Sequence, residues 1–430
     1  MLENLIEFFS FSNINVLYVV LGTVLIGAST AVVGCFSVLR KRSLIGDAIA
    51  HSVLPGICMA FILFDTKNPL VLLTGAFITG WLSIIVIDFI VSNSRIKSDA
   101  AIGLVLSVFF GTGILMLTYI QHSGNAAQSG LDRFLFGKAA AIVGDDLIIF
   151  SAMSILLVLT VIFFFREFKF ISFDPDFAQS IGMPTRRYEI ILSSITVLAI
   201  TVGIQAVGVV LIAALLITPA VAARYWTDDL RVMILIAALI GAVSNIGGAF
   251  ISYSAPSMPT GPWIIVFMLL LAMLSIFFAP QKGLFFKRMR QQNNFKKILE
   301  ENVLKLMYQL DEKDGGFDKF RPLQELMNKR DMGGKMMLNA LSRLKRQKMV
   351  EEKNQTWLLT SLGIKEGKRM VRLHRLWEVY LTEYLYLPSD HVHETAEAME
   401  HVITPELEKE LDNLLNHPEY DPHFSKIPYD

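Results

Sequence analysis

Cysteine is scarce in this chain. Its 430 residues include only Cys35 and Cys58, both in apolar stretches, so the sequence does not predict a fold held by disulfide bonds. An excess of one charge is also lacking, because 39 Lys and Arg residues balance 39 Asp and Glu residues. This balance gives no overall bias toward nucleic acid. No positive charge precedes the first long apolar segment, so we expect no cleavable signal sequence.

Long apolar runs are abundant instead. Hydrophobic residues make up 53% of the chain and the mean hydropathy is +0.49, whereas soluble domains are about 45–50% apolar and about 25% charged. Residues 1–290 contain 18 basic and 15 acidic residues, and the remaining 140 contain 21 and 24. We therefore expect a transmembrane domain at 1–290, followed by a soluble part.

Nine segments are apolar over the roughly 20 residues that a helix needs to cross a bilayer. The predicted fold is an all-α polytopic membrane protein with about eight or nine transmembrane helices. The two segments around Gln205 could instead form one broken or re-entrant element. The nine segments are 15–39, 46–64, 69–93, 99–120, 144–165, 187–204, 206–224, 230–252 and 262–280.

Lys and Arg residues are distributed unequally between the two ends of these segments. If residue 40 is cytoplasmic, fifteen of them fall in cytoplasmic loops, and only Lys67, Arg133 and Lys138 fall on the other side. Positive charge accumulates on the cytoplasmic side of membrane proteins. The sequence therefore predicts a multi-pass cell-membrane protein with its N-terminus outside and its C-terminal part in the cytoplasm.

The connection "REFKFISFDPDFAQSIGMPTRR", residues 166–187, predicts a short amphipathic helix. Asp174 can cap this helix and Pro175 can occupy its first position, while Gly182 and Pro184 can end it. The residues alone leave two interpretations open. The helix is either a docking element for a cytoplasmic partner or an interfacial helix without one.

Asp47 and His51 are ionisable residues at the start of an apolar segment, in "SLIGDAIAHSVLPG", residues 43–56. Four residues apart on a helix, they share one face. A carboxylate and a neutral imidazole supply half of a divalent-metal site, and a second copy of the chain could supply the other half. The alternative is an ion pair that caps the cytoplasmic end of the helix near Arg40.

Four motifs follow one another along the chain: "SLIGDAIAHSVLPGICMAF", "FDPDFAQSIGMP", "VGVVLIAALLITPAVAAR" and "ISYSAPSMPTGPWIIV". Across residues 12–285 the chain resembles the permease subunits of ABC importers for manganese, zinc and iron(II). The resemblance implies a homodimeric permease in membrane lipid, two ABC ATPase subunits, and an extracellular metal-binding protein that delivers the ion.

The same resemblance implies roles for individual residues. Asp47 and His51 would belong to the ion pathway, with a divalent metal ion as substrate and no permanently bound cofactor. The docking interpretation of residues 174–182 is favoured, because this segment matches the coupling helix that seats in the ATPase. Its candidate residues are Asp174, Pro175, Phe177, Ala178 and Gly182. The chain lacks G-x-x-x-x-G-K-[ST], so we expect a transport permease without enzymatic activity and ATP hydrolysis on a separate polypeptide.

The soluble part divides into two predicted regions. Residues 291–370 show helices followed by a short β-wing, a winged-helix pattern, and residues 371–430 predict a helical dimerisation or metal-binding-like domain. A basic helix in the first region can enter a DNA groove, although a charge run is also typical of a solvated face. Its basic residues are Lys335, Arg343, Lys345, Arg346 and Lys348.

Six His and Glu residues lie within 28 positions of the second region. Their spacing places two of them one turn apart and the other four along one stripe of a helix. Two such faces that oppose each other can hold divalent metal, and ordinary exposed side chains are the alternative. The six candidates are His374, Glu378, His393, Glu397, Glu400 and His401.

Residues 295–428 are similar to the iron- and manganese-dependent repressors of the diphtheria toxin repressor class. The similarity rests on "LTSLGIKEGKRMVRLHRLWEVYL", "VHETAEAMEHVIT" and "HPEYDPHFSKIP". It implies that all six candidates lie at metal positions, with Glu397 where iron sensors have Cys. One departure concerns the helix that lends a further ligand in this class. It carries Asn302 and Lys305 here, so we expect one of two metal positions to be incomplete.

The leading prediction is the permease of a divalent-metal importer, with the C-terminal domain as a metal-responsive brake. Nucleic acid is not expected as a partner, because the tail is more acidic than basic and DNA binding depends on Lys and Arg contacts to phosphate. The main alternative is a membrane-tethered, metal-dependent transcription regulator. An intramembrane metallohydrolase ranks last because the chain lacks H-E-x-x-H. The ligand types suit Mn, Zn and Fe(II) alike, and Glu397 favours Mn.

Overall fold

The computed structural model describes residues 2–42, 44–66, 68–122, 137, 139–255, 258–330, 332–388, 392–401 and 403–429. Ser43 of the first motif and the three basic residues expected on the outer side, Lys67, Arg133 and Lys138, lie outside the described residues. The chain forms two compact units, Met1–Lys287 and Arg288–Asp430.

The first unit is helical throughout its described part. Its helices are α1 (Leu2–Ser10), α2 (Ile14–Leu39), α3 (Ile45–Phe64), α4 (Pro69–Asn93), α5 (Ser98–His122), α6 (Gly144–Phe163), α7 (Phe165–Phe173), α8 (Pro175–Ser180), α9 (Thr185–Val207), α10 (Val209–Trp226), α11 (Leu230–Ser254) and α12 (Thr260–Phe278), with a 3-10 turn at Ala139–Ala141.

Eight helices in the described residues are long and apolar enough to cross a membrane, namely α2 to α6, α9, α11 and α12. A ninth, α10, is apolar but shorter. The predicted all-α polytopic fold of eight to nine spans is therefore confirmed. Around Gln205 the chain forms two helices, separated only by Gly208 at φ +90°, a conformation that glycine adopts readily.

The core of the first unit lies along α2, α3 and α9. In the most apolar 18-residue segment of each of these helices, 61% to 72% of the segment is buried, against 28% in α5, α6 and α12. Glycines allow the central helices to approach closely. A Cβ atom at Gly34 would lie 1.8 Å from the carbonyl oxygen of Leu216, and one at Gly56 would lie 2.1 Å from that of Gly75. Small residues at such crossings are typical of membrane helix packing.

The second unit combines helices with one small sheet. Its elements are α13 (Leu284–Asp314, which begins just before the boundary), β1 (Arg321–Pro322), α14 (Leu323–Lys329), α15 (Gly334–Arg346), β2 (Val350–Lys353), β3 (Thr356–Leu359), α16 (Ser361–Glu383), α17 (Val392–Met399) and α18 (Pro405–Leu414). The sheet has the order β1-β3-β2 and both pairings are antiparallel. Helices followed by a β-hairpin are the element order expected from the sequence.

Candidate metal sites

Asp47 and His51 lie one turn apart on α3, with His51 Nε2 3.6 Å from Asp47 Oδ1. From Ile45 to Cys58 every residue of α3 is buried except these two. Their side chains are 46% and 21% exposed, so the helix presents them together at an accessible surface. The edge-to-face contact between the His51 ring and Phe110, with centroids 4.8 Å apart, fixes one side of the imidazole. His51 Nδ1 is buried and has no hydrogen-bond partner among the described residues.

A Pro-Gly pair, Pro55 and Gly56, follows this site by one helical turn. Proline has no backbone N–H, so Pro55 cannot donate the helical hydrogen bond to the carbonyl oxygen of His51, four residues earlier. Gly56 then lets α4 pack against the helix at its weakened turn, because a side chain at Gly56 would meet the backbone of Gly75. The sequence thus places a carboxylate, an imidazole and a main-chain oxygen without its helical partner on adjacent turns.

The nearby arginines have other acidic partners in the part of the chain that the structure describes. Arg40 pairs with Glu189 at 2.7 Å and Arg42 with Asp88 at 3.3 Å. These two ion pairs tie the end of α2 to α9 and α4. The Asp47 carboxylate lies 3.6 Å from His51, a geometry that both the half-site interpretation and the helix-capping ion pair allow.

The predicted short helix in the 166–187 connection forms as α8. The Asp174 side chain accepts a hydrogen bond from the backbone N–H of Phe177 at 2.9 Å, and Pro175 occupies the first turn. Ala178 is fully buried while the Phe177 ring is half exposed. Gly182, at φ +80°, then turns the chain toward α9. The helix α7, which precedes α8, was not predicted from the sequence. Its residues were assigned to the connection between two spans.

Three of the six predicted tail ligands form one cluster. His374 and Glu378 on α16 meet His393 on α17, with one ligand atom from each lying within 4.8 Å of the others. His374 Nε2 is 3.1 Å from Glu378 Oε1, and His393 Nδ1 is 2.9 Å from the same oxygen. His374 and Glu378 are buried, whereas the His393 side chain is 60% exposed. This cluster is open at His393, and its donors suit a divalent transition metal.

The electrostatics of this cluster favour an anionic carboxylate. Burial alone would raise the pKa of Glu378, but hydrogen bonds and charge interactions with His374 and His393 lower it to about 2. Burial alone would lower the pKa of His374, yet hydrogen bonds to Glu378 and Glu400 raise it above its ordinary value. The same carboxylates that would bind a cation therefore favour a proton on the His374 ring.

Lys305 occupies the other side of His374. Its ammonium nitrogen lies 3.0 and 2.7 Å from the two carboxylate oxygens of Glu400 and 2.8 Å from His374 Nδ1. Glu400 Oε2 in turn lies 2.5 Å from His374 Nδ1. The side chains of Lys305 and Glu400 are only 3% and 0% exposed. A lysine from α13 thus fills the space between two predicted metal ligands.

The remaining predicted ligands are engaged elsewhere. Glu397 pairs with Arg330, and His401 Nδ1 lies 2.7 Å from Glu301. His401 Nε2 is buried without a hydrogen-bond partner in the described chain and lies 3.7 Å from Glu400. The helix α17 ends at Met399 and the next two residues lie in a turn, although the backbone N–H of Glu400 still donates to the carbonyl oxygen of Ala396 at 3.0 Å. Arg330 and Glu301, which hold these ligands, were not found from the sequence.

The basic helix expected to approach DNA is α15, and part of its charge is paired within the second unit. Arg343 contacts Glu300 at 3.0 Å and Lys345 contacts Glu352 at 2.8 Å. These carboxylates reduce the positive field that phosphate binding requires. Two of the five basic side chains named for this helix are thus engaged with carboxylates of the same unit.

Comparisons with known proteins agree with both predicted resemblances. Residues 13–279 match the ABC 3 transport family, and residues 360–429 match the iron dependent repressor, metal binding and dimerisation domain. The manganese transport system membrane protein MntC of Bacillus subtilis (strain 168) is 42% identical over 374 residues, which cover 87% of this chain and 85% of that protein.

Two further relatives match the membrane part. The zinc transport system membrane protein TroC of Treponema pallidum (strain Nichols) is 42% identical over 282 residues, 66% of this chain and 95% of that protein. A solved structure, PsaBC from Streptococcus pneumoniae in complex with Fab, is 33% identical and covers 65% of this chain and 97% of its own, with a TM-score of 0.58. The chain therefore belongs to the ABC 3 transport family and carries a C-terminal metal binding and dimerisation domain of the iron dependent repressor type.

Proposed function

We propose that this chain is the membrane permease of an ABC importer that moves divalent transition-metal ions, Mn(II) first and Zn(II) or Fe(II) as alternatives, into the cytoplasm. One observation carries the proposal. On the otherwise buried stretch of α3 from Ile45 to Cys58, the only two accessible residues are a carboxylate and an imidazole one turn apart. Manganese and zinc transport in the names of MntC and TroC supports the same class of substrate.

The chemistry of this pair suits transient binding of a hydrated ion. A divalent cation cannot enter hydrocarbon without ligands that replace its water, and Asp47 and His51 offer one oxygen and one nitrogen. Pro55 has no N–H to donate to the His51 carbonyl, and we propose this oxygen as a third donor. Three donors are too few for a closed site, so binding is loose enough for release. A second permease copy could supply further donors.

The partners follow from the rest of the surface. We propose that α8, with its exposed Phe177 and its capping Asp174, docks on a separate ABC ATPase subunit that supplies the energy. ATP-driven closure of the ATPases would move α8 and shift the spans between outward and inward states. An extracellular metal-binding protein would deliver the ion, and the similarity to PsaBC supports a pair of permease subunits.

The excess of Lys and Arg near the ends that include residue 40 supports a cytoplasmic location for those ends and for the second unit, and an outer location for the N-terminus. In that location the His374, Glu378 and His393 cluster is exposed to the metal that the permease delivers. We propose that the second unit is a brake: cytoplasmic metal binds this cluster and favours the resting state of the permease. Metal binding and transport must then be coupled reciprocally.

Uptake of radioactive Mn(II) by cells that express the complete importer tests the pathway. We expect His51→Ala and Asp47→Ala to lower uptake at least tenfold at equal membrane abundance. The matched control is His122→Ala, which removes an exposed imidazole from the end of α5 and should leave uptake unchanged. Wild-type uptake in both Asp47→Ala and His51→Ala would refute the proposed pathway.

The brake is tested separately in vesicles loaded with Mn(II) on the cytoplasmic side. Internal Mn(II) should slow transport by the full-length chain, and His374→Ala should relieve this inhibition without lowering the rate at low internal metal. If His374→Ala and the wild type are inhibited equally, the brake hypothesis is wrong while the permease assignment stands.

A further inference from the structure

The second unit contains two adjacent places for a cation, and they differ in what they hold. The first is the cluster of His374 Nε2, Glu378 and His393, which opens to solvent at His393. The second lies on the Nδ1 side of the same His374 ring and is lined by Glu400. A buried lysine, Lys305, already fills it, with its ammonium nitrogen within 3.0 Å of both Glu400 oxygens.

Charge and burial explain why a lysine can stand there. Glu400 is completely buried, and an isolated buried carboxylate is costly unless a cation and hydrogen bonds compensate it. The ammonium group of Lys305 donates to both carboxylate oxygens. It thus supplies the positive charge that a metal ion would otherwise provide, with hydrogen bonds in place of coordination bonds.

The ligand atoms around Lys305 are those of an incomplete metal site. Glu400 contributes a carboxylate, and His401 Nε2 is buried without a hydrogen-bond partner in the described residues, 3.7 Å from Glu400 Oε1. Glu397, which could complete this set, is held by Arg330. Removal of the ammonium group would leave a carboxylate and an imidazole nitrogen facing a buried space that lacks a cation.

We propose that the Lys305 ammonium is a tethered cation that replaces a second divalent ion, so that the second unit binds one metal ion per chain. This inference rests on the proposed metal cluster of the second unit and goes beyond it, because it assigns Lys305 and Glu400 a function. In this function Lys305 and Glu400 position the His374 ring of the open site. A Glu400 oxygen lies 2.5 Å from His374 Nδ1, where it can accept the ring N–H and direct the Nε2 lone pair toward the metal.

A consequence concerns the metal response. With the second position permanently filled, occupancy of the tail depends on a single ion, so its binding curve has no cooperativity within one chain. The unit would also hold the contact between α13, α16 and the end of α17 without metal, because Lys305 connects all three. Metal would change only the His393 side of the unit.

The test counts the Mn(II) ions bound per full-length chain in detergent, by equilibrium dialysis and elemental analysis. The result for each variant is the difference from the number bound by the wild type. His374→Ala should lose one ion. Lys305→Glu, which replaces the ammonium with a third ligand, should gain one. Lys305→Arg keeps a cation and should gain none, and neither should Lys296→Glu, an exposed control on the same helix.

Two variants address the geometry of the gained ion. Adding His401→Ala to Lys305→Glu should remove the extra ion, because His401 Nε2 is the nitrogen donor of that position. Hydrogen exchange of α16 and α17 in the presence of Mn(II) establishes that Lys305→Glu is folded. Loss of two ions in His374→Ala, or no gain in folded Lys305→Glu, would overturn the inference. Neither result bears on Mn(II) uptake through Asp47 and His51, which the transport assay decides.

Discussion

Replacement of Lys305 by methionine should destabilise the second unit. The substitution keeps most of the apolar stem but leaves Glu400, whose side chain is 0% exposed, without the ammonium group that donates to both of its oxygens. Removing one partner of a buried ion pair costs about 3–5 kcal/mol. His374 Nδ1 remains 2.5 Å from a Glu400 oxygen and offsets part of the loss, so we expect the lower end of that range.

We therefore expect the free energy of unfolding of the second unit to fall by about 3–4 kcal/mol at pH 7. In a unit of this size the change at pH 7 corresponds to roughly 10 °C in Tm.

The assay is hydrogen exchange with mass spectrometry on peptides from α13 and α16 of the full-length chain, at pH 7 with metal removed. The double variant Lys305→Met/Glu400→Gln, which removes both charges, should recover most of the stability. Lys296→Met, an exposed position on α13, should match the wild type. A Lys305→Met chain within 1 kcal/mol of the wild type at pH 7 would refute the reasoning about the buried pair.

Four further predictions concern other parts of the chain. Pro55→Ala restores a helical hydrogen bond to the His51 carbonyl, so we expect several-fold slower Mn(II) uptake from a protein whose Tm is no lower. Gly34→Ala should lower stability by about 1–3 kcal/mol in a thermal-shift assay, since its Cβ would lie 1.8 Å from a backbone oxygen on α10. Asp174→Ala loses the cap of α8, worth about 1 kcal/mol, and should lower ATP-driven uptake without changing the Mn(II) count. The raised pKa of His374 stabilises the metal-free unit below the ordinary pKa, and this contribution is lost as pH rises through the raised value. Mn(II) needs the deprotonated ring, so its stabilising effect on Tm should grow as the pH rises through the raised pKa of His374.

Much of the fold follows from local signals in the sequence. Apolar length predicted the spans, because a bilayer sets that length almost independently of tertiary contacts. The helix α8 was also predictable, since a capping aspartate, a proline in the first turn and a terminating glycine act within a few residues. Even the separation of α9 from α10 at Gly208 lay within the alternatives that the segments around Gln205 allowed.

The tail site was only partly predictable. The i, i+4 spacing of His374 and Glu378 predicted their shared face, but it did not indicate that Glu397 and His401 contact Arg330 and Glu301. The sequence also indicated that a lysine is a poor ligand at position 305. It could not indicate that this lysine lies against Glu400, which is 95 residues away along the chain.

Long-range pairs decided the rest of the site. Arg330 holds Glu397 from a distance of 67 residues in sequence, and Glu301 holds His401 from 100 residues away. No periodicity or motif connects such partners, because the contact depends on how α13, α14 and α17 pack. The sequence therefore indicates which residue types make up an ion-binding cluster. It does not indicate which positions of the cluster are open to an ion and which are filled by a side chain.

Pulsed electron paramagnetic resonance of Mn(II) bound to the purified permease shows whether His51 ligates the transported ion. A chain with His374→Ala and His393→Ala removes the imidazoles of the tail cluster from the signal. We expect a coupling between Mn(II) and an imidazole nitrogen in this chain and its loss when His51→Ala is added. An unchanged nitrogen coupling after His51→Ala, or no nitrogen coupling to bound Mn(II) before it, would rule out His51 as a ligand of the ion.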